Sequence, residues 1–179
     1  MSEFEIIRNH FSRDYDRSDI NVGVGDDGAI LNIDQMIGSQ LVVSTDTIVE
    51  QTHFPEGTIA GNIAKRAMCI NLSDMAGMGA LPLWFTLSLT LPGDKANEAW
   101  LSEFSSGLFE IASEYNCALI GGDTTKGPLS VTICMFGNIP SDAGLKRSSA
   151  SVGDIIYLSG NNNFTSSSKG KDARCIIAL

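Results

Sequence analysis

The residues with the most chemical potential in this sequence are aspartates set among small and hydroxylated neighbours. Asp26 and Asp27 lie in Gly23-Val24-Gly25-Asp26-Asp27-Gly28, Asp46 in Ser44-Thr45-Asp46-Thr47, Asp74 in Asn71-Leu72-Ser73-Asp74, and Asp123 in Gly121-Gly122-Asp123-Thr124-Thr125. Each falls at or near the expected end of an element. Mg²⁺ takes hard oxygen ligands in near-octahedral geometry and is usually held by a few carboxylates, hydroxyls and waters together with substrate phosphates. Glycines beside the carboxylates would let backbone N–H groups approach a phosphate closely. Four separated carboxylates converging would hold more than one ion. Taken singly, each also has an ordinary explanation, since Asp shapes Gly-rich turns and Ser-Asp near a helix end is a common cap. Asp74 departs from this, because it sits in an apolar helical pattern between Leu72 and Met75. An unpaired carboxylate buried there would be costly, so a metal or strong donor beside it is expected.

His53, in Glu50-Gln51-Thr52-His53-Phe54-Pro55, follows the Asp46 motif closely; it reads either as a packing or surface residue or as a ligand-binding one. Arg147, in Lys146-Arg147-Ser148-Ser149, is either a solvated loop charge or a phosphate clamp that uses the planar guanidinium fork.

Several function classes are excluded. Lys+Arg 12 against Asp+Glu 21 gives a net charge of −9, and without a basic run the chain is a poor nucleic-acid binder. At 43% hydrophobic and 18% charged it is too apolar for intrinsic disorder. No run approaches a membrane span and the start lacks a basic-then-apolar leader, so a soluble cytoplasmic protein is expected. Cys69, Cys117, Cys134 and Cys175 form no C-x-x-C pair, which argues against structural zinc and for buried, reduced thiols. There is neither a phosphate-binding Gly-x-x-x-x-Gly-Lys-Ser/Thr loop nor a Gly-x-Ser-x-Gly elbow, and Gly23-Val24-Gly25 lacks the third glycine of a dinucleotide loop.

The elements that must position these residues follow from periodicity. Phe4, Ile7 and Phe11 suggest a short amphipathic helix, 12–21 reads as a loop, and 29–33 and 40–44 read as a pair of strands. A helix with a small-residue face spans 59–75 and stops at Gly77-Met78-Gly79. A strand at 83–91 precedes a helix over 97–115, which places Trp100, Phe104, Leu108 and Ile111 on one stripe. Strands follow at 117–120 and 130–137, and another at 154–159. Strands joined both directly and through long helices predict an α+β fold, with a mixed or antiparallel sheet and helices packed on one face. The final stretch, 161–179, is polar and atypical.

In order and spacing, Gly25-Asp26-Asp27, Ser44-Thr45-Asp46, His53-Phe54, Asn71-Leu72-Ser73-Asp74-Met75-Ala76-Gly77-Met78-Gly79-Ala80, Gly121-Gly122-Asp123-Thr124-Thr125-Lys126-Gly127-Pro128 and Arg147-Ser148 resemble the thiamine-monophosphate kinase family, over about 3–160. Blocks such as Asn-Leu-Ser-Asp also occur across its aminoimidazole ribonucleotide synthetase-like superfamily. The resemblance implies the N-terminal domain of that fold and a transferase that moves a phosphoryl group from ATP to thiamine phosphate, making thiamine diphosphate. It further implies that Asp27, Ser44, Thr45, Asp46, Asp74 and Asp123 carry several Mg²⁺ ions, that His53 contacts thiamine phosphate, and that Gly122, Asp123 and Arg147 contact ATP. A homodimer with no nucleic-acid or membrane partner is implied as well. Residues 1–138 would be the ATP/Mg-binding and dimerisation domain, 139–160 a linker and the first strand of an absent C-terminal domain, and 161–179 a tail unlike the family. The alternatives are a non-catalytic dimerising module that binds Mg and nucleotide, or another ATP-dependent enzyme of the superfamily.

Overall fold

The computed structural model describes residues 2–155. Ser2 starts helix α1, Glu3–Ile6, through a reciprocal capping box: its hydroxyl accepts from the Glu5 N–H, and the Glu5 carboxylate accepts from the Ser2 N–H at 2.7 Å. The helix continues into a π-helical turn, Ile7–Phe11. That wider turn changes the phase of the side chains. Phe4, Ile7 and Phe11, the expected apolar stripe, are buried unequally: Phe11 is in the core with Ile6, whereas Phe4 is 76% exposed.

Strands β1, Ile20–Val22, and β2, Ile30–Leu31, form a small antiparallel ribbon, so the end of the expected 12–21 loop is a strand. Strand β3, Ser39–Val49, does not pair with β2 as expected; it pairs antiparallel with β6, Ser130–Pro140. Helix α2, Ala60–Met78, ends where predicted, on Gly79 in the left-handed conformation at φ 74°. Strand β4, Leu81–Leu91, leads to helix α3, Glu98–Glu114, whose first turn is capped by the Asn97 side chain accepting from the Trp100 N–H. Strand β5, Ala118–Lys126, completes a four-stranded sheet of order β3-β6-β4-β5. Its two antiparallel pairings and the parallel β4–β5 pairing make the sheet mixed, as an α3 crossover requires.

The main core joins the buried faces of α2 and α3 to Phe85, Leu87 and Leu89 of β4 and Val131, Ile133 and Met135 of β6. A smaller cluster of Trp84, Ala118 and Ile120 packs under Ile20 and Leu31 of the β1–β2 ribbon. A bidentate Arg17–Asp19 pair, 2.9 and 2.5 Å, locks this region, and Asp19 also accepts the Trp84 indole N–H at 3.0 Å. Cys117 is buried, which pushes its thiol up to about 12, while Cys69 and Cys134 are only half-buried. No helix among the described residues is long and apolar enough to cross a membrane. The 161–179 tail, Cys175 and all but the first two residues of the expected 154–159 strand lie outside the described residues.

Candidate nucleotide and metal site

Asp123 does not follow its strand, as the Gly-Gly pair suggested, but lies inside β5, which pairs with β4 as far as Lys126. The pairing shifts between Phe85 and Thr86, so that Leu119 opposes Phe85 and Gly121 opposes Thr86. Past this bulge, Gly122 takes φ 147°, and a Cβ there would collide with the Leu87 carbonyl oxygen. Only glycine fits this approach. The bulge opens a cleft of about 440 Å³. Asp26 and Asp27 of the Gly25 loop and Gly122, Asp123 and Thr124 of β5 are among the residues that line it. Gly25 gives the Asp loop its turn at φ 123°, and the Asp26 carboxylate accepts from the Asp27 N–H at 2.8 Å.

A second group forms on the opposite edge of the sheet. Ser44 on β3 donates its hydroxyl to the Asp74 carboxylate at 2.6 Å. Asp74 is exposed, contrary to the expected burial, because the helix period turns Leu72 and Met75 into the core and Asp74 out of it. Asp46 lies in the middle of β3, not at an element end, and shares a strand face with Ser44; Thr45 points the other way. Asp46 opposes Ile133, which opposes Leu87, which opposes Gly122. Three strand spacings, roughly 14 Å, therefore separate Asp46 from Gly122.

His53 sits on the turn after β3, where its Nδ1 accepts the Val49 N–H at 3.0 Å. This leaves Nε2 as the donor of the neutral ring, on an exposed side chain. Arg147 is exposed on a 3-10 turn, Arg147–Ser149, and does not line the cleft.

The expected ligand set thus divides. Asp27, Gly122 and Asp123 come together with Asp26; Ser44 and Asp74 come together near Asp46; His53 and Arg147 stand apart from the cleft. Among the described residues no three His, Cys, Asp or Glu side chains converge as round a single ion. The carboxylate and hydroxyl donors present nevertheless suit Mg²⁺, which commonly uses one or two carboxylates and completes its shell with water and phosphate. No sequence motif marks the α1 wall of the cleft, because the exposure of Phe4 is visible only in the fold.

The family described as AIR synthase related protein, N-terminal domain, matches residues 25–139. The chain belongs to this family. It is 46% identical over 159 residues to the thiamine-monophosphate kinase of Salmonella typhimurium, which covers 88% of the chain and 48% of that protein. The crystal structure of thiamine-monophosphate kinase from Stenotrophomonas maltophilia K279a is similar at a TM-score of 0.68 and 44% identity, over 74% of this chain and 40% of that one. AaThiL complexed with AMPPCP and TMP is similar at a TM-score of 0.55 and 27% identity, over 57% of this chain and 33% of that one. The chain spans about half the length of the curated relatives it matches. Family membership supports the α+β reading with its mixed sheet.

Proposed function

We propose that this chain handles ATP and Mg²⁺ in the phosphorylation of thiamine phosphate to thiamine diphosphate. The observation that carries the reading is the cleft in which Asp27 meets Gly122 and Asp123, in a chain 46% identical to a thiamine-monophosphate kinase. AMPPCP, an analogue of ATP, and TMP in the AaThiL complex support the same pair of substrates. In this reaction the bond between the β and γ phosphates of ATP breaks and a new phosphoanhydride forms at the phosphate of thiamine phosphate, leaving ADP.

Asp27 and Asp123 would hold Mg²⁺ at the cleft, and the side chains of Ser44, Asp46 and Asp74 would do so at the β3 edge, where Thr45, whose side chain faces the other way, could add only its backbone carbonyl. Bound there, Mg²⁺ supplies neutralisation of phosphate oxygens and alignment of donor with acceptor. The chain's own part is positional. Gly122 brings backbone close to the triphosphate, His53 offers Nε2–H to thiamine phosphate, and Arg147 offers its fork to ATP. Residues 1–138 would act as the nucleotide-binding and dimerising unit, although β6 itself continues to Pro140. A homodimer in the cytoplasm, where ATP is made and used, completes the reading.

Because the chain spans 48% of its relatives, a second reading is a module that binds Mg·ATP without transfer. The purified chain is given ATP, Mg²⁺ and thiamine phosphate, with thiamine diphosphate measured by chromatography and Mg·ATP binding by calorimetry. Product formation supports the kinase, and binding without product supports the module. Neither signal would reject both.

A further inference from the structure

The carboxylate end of the cleft accounts for only half of its lining. The apolar part is Phe4, Ile7 and Phe11 from the N-terminal segment, Val24, and Leu87 and Leu119 from the sheet, with the Glu3 side chain beside Phe4 as the one charged residue of that segment in the lining. Phe4 is the unusual member. Ile6, two residues on, is 5% exposed and Phe11 4%, whereas Phe4 is 76% exposed, so core packing does not explain an aromatic at this position. Leaving so large a ring in water forgoes the favourable burial that an inward position would give.

The backbone that carries the ring is nonetheless anchored. The Ser2–Glu5 capping box fixes the start of α1, and the π-helical turn beyond it is anchored at two points. Phe11 packs edge-on against Phe104 with centroids 6.3 Å apart, and buried His10 meets the Glu98 carboxylate at 3.2 Å. Such anchoring pre-organises a surface for a ligand instead of letting it collapse onto the protein.

We propose that Phe4 is the stacking platform for the purine base of the nucleotide bound in this cleft, a base-recognition residue distinct from the carboxylate end that serves the phosphates; the inference rests on the nucleotide reading above. A base at the apolar wall and a triphosphate reaching Asp27 and Asp123 match the two chemistries of a cleft of about 440 Å³, within the usual range for a small-molecule site. Thiamine phosphate also carries aromatic rings. Its proposed partner His53 stands on the turn after β3, at the sheet edge opposite β5, which favours the purine here.

The test compares the unaltered chain with Phe4→Ala and Phe4→Trp, titrated by calorimetry with Mg·ATP, Mg·tripolyphosphate and thiamine phosphate. Phe4→Ala is expected to weaken Mg·ATP about tenfold or more, as loss of one stacked base does, and to leave Mg·tripolyphosphate unchanged. Phe4→Trp is expected to keep ATP affinity and to show indole quenching by ATP but not by tripolyphosphate. Unchanged ATP affinity in Phe4→Ala would overturn the platform while leaving the nucleotide reading intact. Equal weakening of tripolyphosphate, or weakening confined to thiamine phosphate, would overturn it too. Failure of the unaltered chain to bind Mg·ATP would remove the nucleotide reading itself and the platform with it.

Discussion

Buried against Trp84, the Asp19 carboxylate accepts the indole N–H at 3.0 Å and both arms of the Arg17 fork. Arg17 also donates to the carbonyls of Leu83 and Asn116, so one side chain ties the N-terminal segment to β4 and to the turn before β5. The paired hydrogen bonds from Arg17 hold the Asp19 carboxyl below the usual carboxylate range. A depressed folded-state value means that this stabilisation is fully present above the ordinary carboxylate range and is lost as the pH falls through the lower folded value. Asp19→Asn leaves the guanidinium half-paired and is expected to cost about 3 kcal/mol at neutral pH, with a smaller gap from the parent near pH 3. Urea titrations of both proteins at the two pH values check this; a gap that does not shrink in acid would show that the carboxylate's charge is not the source. At Gly122 the constraint is steric. Gly122→Ala sets a Cβ against the Leu87 carbonyl at φ 147°, where backbone must move. A stability loss of about 2 kcal/mol and weakened Mg·ATP binding are expected, because the same residue shapes the bulge and the cleft. An unchanged denaturation midpoint would show that β5 absorbs the methyl group freely.

Helices α2 and α3 cross at two glycines. A Cβ on Gly107 would collide with the backbone of Gly61, and one on Gly61 would come within 3.2 Å of the Glu103 carbonyl. Gly107→Ala should therefore push the helices apart and lower stability by about 1–3 kcal/mol, whereas Gly77→Ala, in the same α2 with open space round it, should be neutral or stabilising. Thermal unfolding of the two variants decides between packing and intrinsic helix propensity. The helices themselves were legible in the sequence, since their 3.6-residue period, the Asn97 cap and the Gly79 stop are all local signals. What the sequence hid was pairing. The Gly121-Gly122 pair reads as a strand end, yet β4 supplies hydrogen-bond partners that carry β5 on to Lys126, and β3 finds β6 far along the chain in place of neighbouring β2. Register of this kind is set by distant segments, which leave no mark on local periodicity. The site shows the same division: the motifs located the carboxylates, but only the strand order reveals that Asp46 and Asp123 stand on opposite edges of one sheet. Asp74 misled for a related reason, because its apolar neighbours concealed a helix face that looks outward toward Ser44.

At the scale of the whole molecule, a net charge of −9 and a cleft lined by Asp26, Asp27 and Asp123 impose a condition on any anionic ligand. The triphosphate of ATP would meet three carboxylates, and at separations of a few ångströms such repulsion is only partly screened by salt or water. The stacking contributed by an apolar wall does not offset several unfavourable charge contacts at the other end. On the proposed reading, nucleotide binding would therefore depend on a cation that both sides can share. Mg²⁺, with its preference for carboxylate, phosphate and water oxygens, meets this requirement, and a monovalent ion at the same ionic strength lowers the long-range field without bridging the groups. ATP affinity should consequently fall roughly 100-fold or more when EDTA removes divalent ions, return on addition of excess Mg²⁺, and fail to return with KCl matched for ionic strength. Asp123→Asn should reduce the Mg²⁺ dependence, since it removes one repelling charge together with one ligand, so that its metal-free affinity rises relative to the parent while its Mg·ATP affinity falls. Calorimetry of both proteins with and without EDTA measures all four quantities. Equal ATP affinity in EDTA and Mg²⁺ would mean that the aspartates do not face the phosphates, and the orientation of nucleotide in the cleft would have to be reversed.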